Sequence, residues 1–80
     1  MKLNIGSVVR ASAGRDSEGL FVVTATDKNY CFIADGKSRK LEKPKRKNIK
    51  HISLTGSMID INDITDKKLR TILRTMSNAE

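Results

Sequence analysis

Between Lys37 and Lys50 the chain carries eight cations, Lys37, Arg39, Lys40, Lys43, Lys45, Arg46, Lys47 and Lys50, against a single acid, Glu42. Lysine and arginine are almost never fully buried unless they are paired. These 14 residues therefore belong at a surface, and the core has to come from the sequence on either side. The whole chain has 16 Lys+Arg and 9 Asp+Glu, a formal charge of +7. Outside the stretch the remaining eight cations and eight acids cancel, so the entire excess sits in one internal segment. Strand-like sequence flanks it on both sides, which separates it from the lysine runs of solvated tails. Clustered Lys and Arg of this kind are the electrostatic footprint of an anion-binding surface, and of nucleic-acid binding in particular.

The first half of the chain reads as β. Val8 and Val9 lie in an extended run ending at Ala13-Gly14, and Leu20 to Thr26 is rich in β-branched and aromatic residues. Asp27-Lys28-Asn29 supplies turn chemistry, and Tyr30 to Ala34 follows as the hairpin partner. Asp35-Gly36 predicts a type I′ turn, which needs positive φ at both central residues. Ser38 to Glu42, with Leu41 as its one apolar anchor, then predicts a short edge strand closed by Pro44. Its lysines would discourage edge-to-edge association. A last strand is expected over Ile49 to Leu54, with a bulge near Lys50-His51 because Ile49 is out of phase with Ile52 and Leu54. Five short strands joined by tight turns predict a small barrel.

After Gly56 the period changes. Leu69, Ile72, Leu73 and Met76 fall on one helical face, and Thr65 is placed to cap the helix. Ile64 and Leu69 then have the spacing of a hydrophobic staple. The organisation expected is a barrel over 1–56 and an extension over 57–80, with a helix at about 65–77 and a hinge between Gly56 and Asp63. The stripe is read as docking on the barrel; Lys67, Lys68, Arg70 and Arg74 lie off it, diluted by Asp63 and Asp66.

Eighty residues make one small domain. A chain of this size buries only about 60% of its unfolded surface, which leaves no room for a deep substrate cavity. No catalytic constellation is legible, and the chain is expected not to be an enzyme, with no cofactor, metal or small-molecule substrate. His51 reads as a phosphate or base contact, or as an inert surface residue. Cys31, between Tyr30 and Phe32, reads as core packing. One Cys and one His cannot supply the four ligands of a structural zinc site. Asp60, Asp63 and Asp66 lack the glycine and terminal glutamate of a calcium loop and are read as capping and solvated residues. A lone cysteine makes no internal disulfide, no apolar run approaches the ~20 residues of a membrane span, and no signal-type apolar region opens the chain. The expected location is cytoplasmic, without membrane partners.

The segment from Ile5 to Val23, with Gly6, Val8-Val9, Gly14 and Leu20 to Val23, resembles a KOW motif: a glycine, a strand, a glycine-bearing loop and a second strand. Asn29 to Gly36 and Lys40-Leu41-Glu42-Lys43-Pro44-Lys45 extend the likeness over residues 3–55. Together they resemble the small bacterial KOW-domain RNA-binding proteins, related to KOW-domain large-subunit ribosomal proteins of archaea and eukaryotes. The second loop glycine, Gly19, falls one residue later than in the motif. The resemblance implies an SH3-like barrel whose first interstrand loop, here Gly14 to Gly19 with Arg15, approaches RNA. Joined to the strands and helix expected from the pattern, it gives the fold class expected: mainly β, a five-stranded SH3-like barrel with a C-terminal α-helix.

The function expected is RNA binding in association with the ribosome, by contact and not by catalysis. Lys37, Arg39, Lys40, Lys43, Lys45, Arg46, Lys47 and Lys50 would meet phosphates, with Arg15 adding a contact. Ribosomal RNA is the expected partner, with ribosomal proteins beside it. Phe21 and at least one of Tyr30 and Phe32 are assigned to the core, which favours folded RNA over single strands read by stacking. The alternative is a non-catalytic protein-interaction module of the transcription or translation machinery.

Overall fold

A computed structural model of the chain describes residues 3–11 and 19–78. Five antiparallel strands form one sheet: β1 (Ser7–Ala11), β2 (Leu20–Asp27), β3 (Tyr30–Ala34), β4 (Lys45–Asn48) and β5 (Ile52–Met58). Their order is β4-β3-β2-β1-β5, so the sheet is open, with β4 and β5 at its two edges. A 3-10 turn, Ile49–His51, joins these edge strands, and α1 (Asp66–Asn78) ends the described chain.

Strands β1 and β2 are buried on both faces. Val8 and Val9 in β1, and Val22 and Val23 in β2, have no solvent exposure. Successive side chains of a strand point to opposite faces, so a run with every member buried requires a cover on each side. On one face α1 lays Leu69 and Leu73 over Val8, Leu20, Val22 and Ala34, with Leu41, Ile59, Ile61, Ile64 and Met76 around them. On the other, Val9, Ala11, Phe21, Val23, Cys31 and Ile33 cluster with Leu3, Ile49, Ile52 and Leu54. No helix lies on that second face among the described residues. The sheet itself curls around it, gathering side chains from β3 to β5.

Two irregularities sharpen the curl, since extra residues in one strand bend it and raise its twist. Between β2 and β3 the register shifts from Val23↔Ile33 to Ala25↔Phe32, leaving Thr24 unpaired. The Thr24 hydroxyl donates to the Phe32 carbonyl across the gap (3.3 Å). Between β1 and β5 the register jumps from Val9↔Leu54 to Ser7↔Met58. There Thr55 Oγ1 donates to the Val8 carbonyl (2.8 Å) and accepts from the Ser57 N–H (3.3 Å), satisfying groups that the interrupted ladder releases.

The helix starts where the capping pattern places it. Thr65 Oγ1 accepts from the Lys68 N–H (3.2 Å), and the Thr65 carbonyl accepts from the Leu69 N–H (2.9 Å). Ile64 and Leu69 meet in the same apolar cluster.

Five expectations are corrected. The edge strand is Lys45–Asn48, after Pro44, and not Ser38 to Glu42. Leu41 is drawn into the apolar cluster beneath α1, and its N–H donates to Asp66 Oδ1 (2.8 Å), so this segment has partners other than a strand. Proline is compatible with the start of a strand, where its missing N–H breaks no ladder bond. Asp35-Gly36 is not a type I′ turn, because only Gly36 of the pair has positive φ. Instead Asp35 Oδ1 accepts from the Lys37 and Arg39 N–H groups (2.8 Å each), and the Arg39 carbonyl accepts from Asp35 and Gly36 (2.9 and 3.1 Å). Finally, the last strand is Ile52–Met58 and not Ile49 to Leu54. The suspected irregularity at Lys50-His51 is a 3-10 turn, and Gly56, expected to begin a hinge, lies inside β5. Gly14 and Arg15 lie outside the described residues.

Gly36 has a φ of +77°, and a Cβ there would collide with the Asp66 carbonyl and press on the Arg70 N–H. Gly56 has a φ of +88° but opens on empty space. Left-handed backbone costs a residue with a Cβ about 1–2 kcal/mol. Gly56→Ala is expected to lose only that amount. Gly36→Ala should lose clearly more, because the first turn of α1 must also move. Thermal melts followed by circular dichroism compare them, and equal losses would remove the close approach as a constraint.

Candidate nucleic-acid interface

The cationic stretch forms a band that runs through the β3–β4 loop, the edge strand β4 and the 3-10 turn after it. Its first part, the loop from Lys37 to Lys43, is held at one end by Asp35 and in the middle by Leu41 and Asp66. The Lys43 N–H donates to the Lys40 carbonyl (3.0 Å), closing a turn within it. With the backbone secured, Lys37, Lys40 and Lys43 are exposed, whereas Arg39 is half-buried.

The second part is β4, which pairs only with β3. Its register is Ile33↔Lys45, Phe32↔Arg46, Cys31↔Lys47 and Tyr30↔Asn48. Paired residues share a face. Lys47 therefore lies on the inner side opposite the buried Cys31 and is half-buried. Arg46 lies on the outer side, exposed. Lys45 pairs with the buried Ile33 but is itself exposed near the strand's start. From Lys45 to Asn48 the strand rises about 10 Å. It leads from the basic loop to Lys50, exposed in the 3-10 turn.

The far end of the band holds residues that the sequence reading assigned to other roles. Lys28 and Asn29 are the two residues between β2 and β3, and both are exposed. The Asn29 carbonyl accepts from the Ile49 N–H (3.0 Å), which draws the 3-10 turn beside the hairpin. Lys28, Asn29, Tyr30, Asn48, Ile49 and Lys50 line an open cleft of about 480 Å³. Lys28 thus joins Lys50 across 22 positions of sequence.

Neither Tyr30 nor Phe32 is in the core, contrary to the assignment of at least one of them there; both are half-exposed. They occupy the same sheet face as Ala34, but α1 covers only the Ala34 end. The Arg46 guanidinium lies over the Tyr30 ring, 4.6 Å from its centroid, an attraction between a cation and the negative face of the π-system. Alternation carried part of this signal, since it puts Tyr30 and Phe32 on the face opposite Cys31 and Ile33; the reach of α1 decides which part of that face is covered. Phe21 is buried as expected.

Of the other residues considered, His51 is exposed. Asp60 Oδ1 accepts from the Asn62 N–H (2.9 Å), and Asp66 holds the basic loop. Asp63 adopts a φ of +56° in the turn before α1. Lys67, Lys68, Arg70 and Arg74 are exposed on α1, and Arg70 Nη1 donates to the Gly36 carbonyl (3.3 Å). No described helix is long and apolar enough to cross a membrane. Neither a scan against protein-family models nor a search of curated proteins finds a match to the chain.

Cys31 is a free, fully buried thiol, and burial raises its pKa above the ordinary value of 9.0. The unfolded thiol ionises at that ordinary value while the folded one stays protonated. Its contribution to stability is thus complete below the unfolded pKa and is lost as pH rises toward the folded one. Urea midpoints of the natural chain should fall faster above about pH 9 than those of Cys31→Ala. Parallel curves for the two proteins would contradict this.

Proposed function

We propose that this chain is an RNA-binding protein that associates with the ribosome and contacts structured RNA through the β4 edge and the loop before it. The observation that carries the reading is the run of exposed cations, Lys37, Lys40 and Lys43 in the loop, Lys45 and Arg46 in the edge strand and Lys50 in the turn after it. Phosphate contacts from such a band position a protein on RNA without reading its sequence. Lysines act there as mobile point charges, and Arg46 can make bidentate contacts. Arg39 and Lys47, half-buried, stand behind the exposed cations, and Arg15 is proposed as a contact from the first interstrand loop. Ribosomal RNA and neighbouring ribosomal proteins are the partners proposed. The protein acts in the cytoplasm, by contact and without catalysis.

The fold proposed is an SH3-like barrel of the KOW kind. Three features support it: the meander of β1 to β4, the return of β5 to pair with β1, and the curl that wraps one face on itself. The 3-10 turn between β4 and β5 brings the two open edges to a common corner.

The alternative, a protein-interaction module, has one observation of its own. Ile5 and Met58 are 56% and 59% exposed at the opposite edge of the sheet. If protein contact dominates, nuclease treatment of a lysate will leave the association intact; RNA binding requires that it be lost.

Charge reversal tests the primary reading. Lys40, Lys43 and Lys45 are chosen because they are exposed, whereas Lys47 sits opposite Cys31. The natural chain should sediment with the large subunit at low salt, and the Lys40→Glu, Lys43→Glu, Lys45→Glu variant should stay at the top of the gradient. Binding to purified ribosomal RNA should weaken with salt at a slope near −4 in log K against log salt, for about five phosphates neutralised. A slope near zero at measurable affinity would refute the electrostatic account.

A further inference from the structure

We infer that the cleft between the β2–β3 turn and the 3-10 turn is a subsite for one unstacked nucleotide of the bound RNA, with its base on Tyr30 and its phosphates on Lys28 and Lys50. The inference rests on the RNA-binding reading above and deepens it: the cationic band supplies position, and this cleft engages a base. Its volume, about 480 Å³, lies within the ~300–1,000 Å³ of small-ligand clefts. Its lining combines the groups that a nucleotide needs. Tyr30 offers an aromatic wall, half-exposed because α1 stops short of this end of the sheet. Arg46 holds that ring from outside the cleft lining, 4.6 Å from the centroid. Lys28 and Lys50 enter from two separate turns, both exposed.

The polar groups are also partly committed, which gives the cleft direction. Asn48 Oδ1 accepts from the Lys50 N–H (3.0 Å), so the remaining NH2 of its amide is the end available to an acceptor on a base edge. Ile49 adds an apolar surface. The Asn29 carbonyl bond to the Ile49 N–H locks the two turns together, so the walls exist before the ligand arrives. Stacking is tolerant of base identity because every base presents a π-face. The subsite therefore selects an unpaired nucleotide over a paired one, not one base over another.

The chain contains one tyrosine and no tryptophan, so intrinsic fluorescence reports this site alone. The test uses the full chain and two RNA hairpins matched in number of phosphates, one fully paired and one with a single bulged nucleotide. The bulged hairpin should bind roughly 5- to 100-fold tighter and quench Tyr30 emission, whereas the paired hairpin binds without quenching. Tyr30→Leu should abolish the preference, so that the two hairpins bind alike, and Tyr30→Phe should retain the preference. Lys45→Glu, on the band but outside the cleft, should weaken both hairpins equally. Equal affinity of the natural chain for the two hairpins, with no quenching, would overturn the subsite while RNA binding stands. The same holds for a preference that survives Tyr30→Leu. Failure to bind either hairpin or ribosomal RNA would overturn the RNA reading together with it.

Discussion

The structure depends on the burial of β1 and β2 from both sides. Val8 and Val22 face α1, and Val9 and Val23 face the concavity of the sheet, all four without exposure. A chain of 80 residues has too little apolar sequence to build separate layers over both faces. It uses one helix for the first and the curvature of the sheet for the second. That curvature is set by backbone irregularities, at Thr24 and around Thr55 to Ser57, where the Thr24 and Thr55 hydroxyls take up the hydrogen bonds that the interrupted ladders leave. The core and the bulges are therefore one device.

The same economy creates the candidate interface. α1 covers the sheet face over Val8, Val22 and Ala34 and leaves the continuation of that face, with Phe32 and Tyr30, half-exposed. At the covered end, Gly36 lets the β3–β4 loop run against the first turn of the helix, and Asp66 fastens the loop at Leu41. The loop lysines are consequently displayed from a fixed backbone, where a free tail would have to lose conformational entropy on binding. At the uncovered end, the hairpin and the 3-10 turn meet through Asn29 and Ile49, and the cationic band ends against an aromatic ring. One helix too short to cover the whole face accounts for both ends.

Local chemistry and tertiary competition divide what could be read in advance from what could not. The helix was legible because its signals are local: Thr65 as cap, Ile64 and Leu69 as staple, Leu73 and Met76 on the stripe. The β2–β3 hairpin was legible for the same reason, and so was the burial of Cys31. The β3–β4 connection was not. Leu41 looks like the anchor of a strand until a helix 25 residues later supplies it with a better partner. Pro44 then marks where the edge strand begins and not where it ends. For Tyr30 and Phe32 alternation set only the face, the one they share with the buried Ala34, and their exposure followed from α1 covering the Ala34 end alone.

Local signals alone were enough for the β2–β3 hairpin, for the cap of the helix, and for the confinement of all the excess charge to one internal stretch. These follow from short-range propensity, periodicity and charge count, which need no knowledge of what packs against what. The tertiary structure alone set how the stretch divides into loop, edge strand and 3-10 turn. It also decided that Lys28 joins Lys50 and that one tyrosine remains at the surface beneath Arg46. Those outcomes depend on how far α1 reaches and how sharply the sheet curls, both set by contacts between residues distant in sequence.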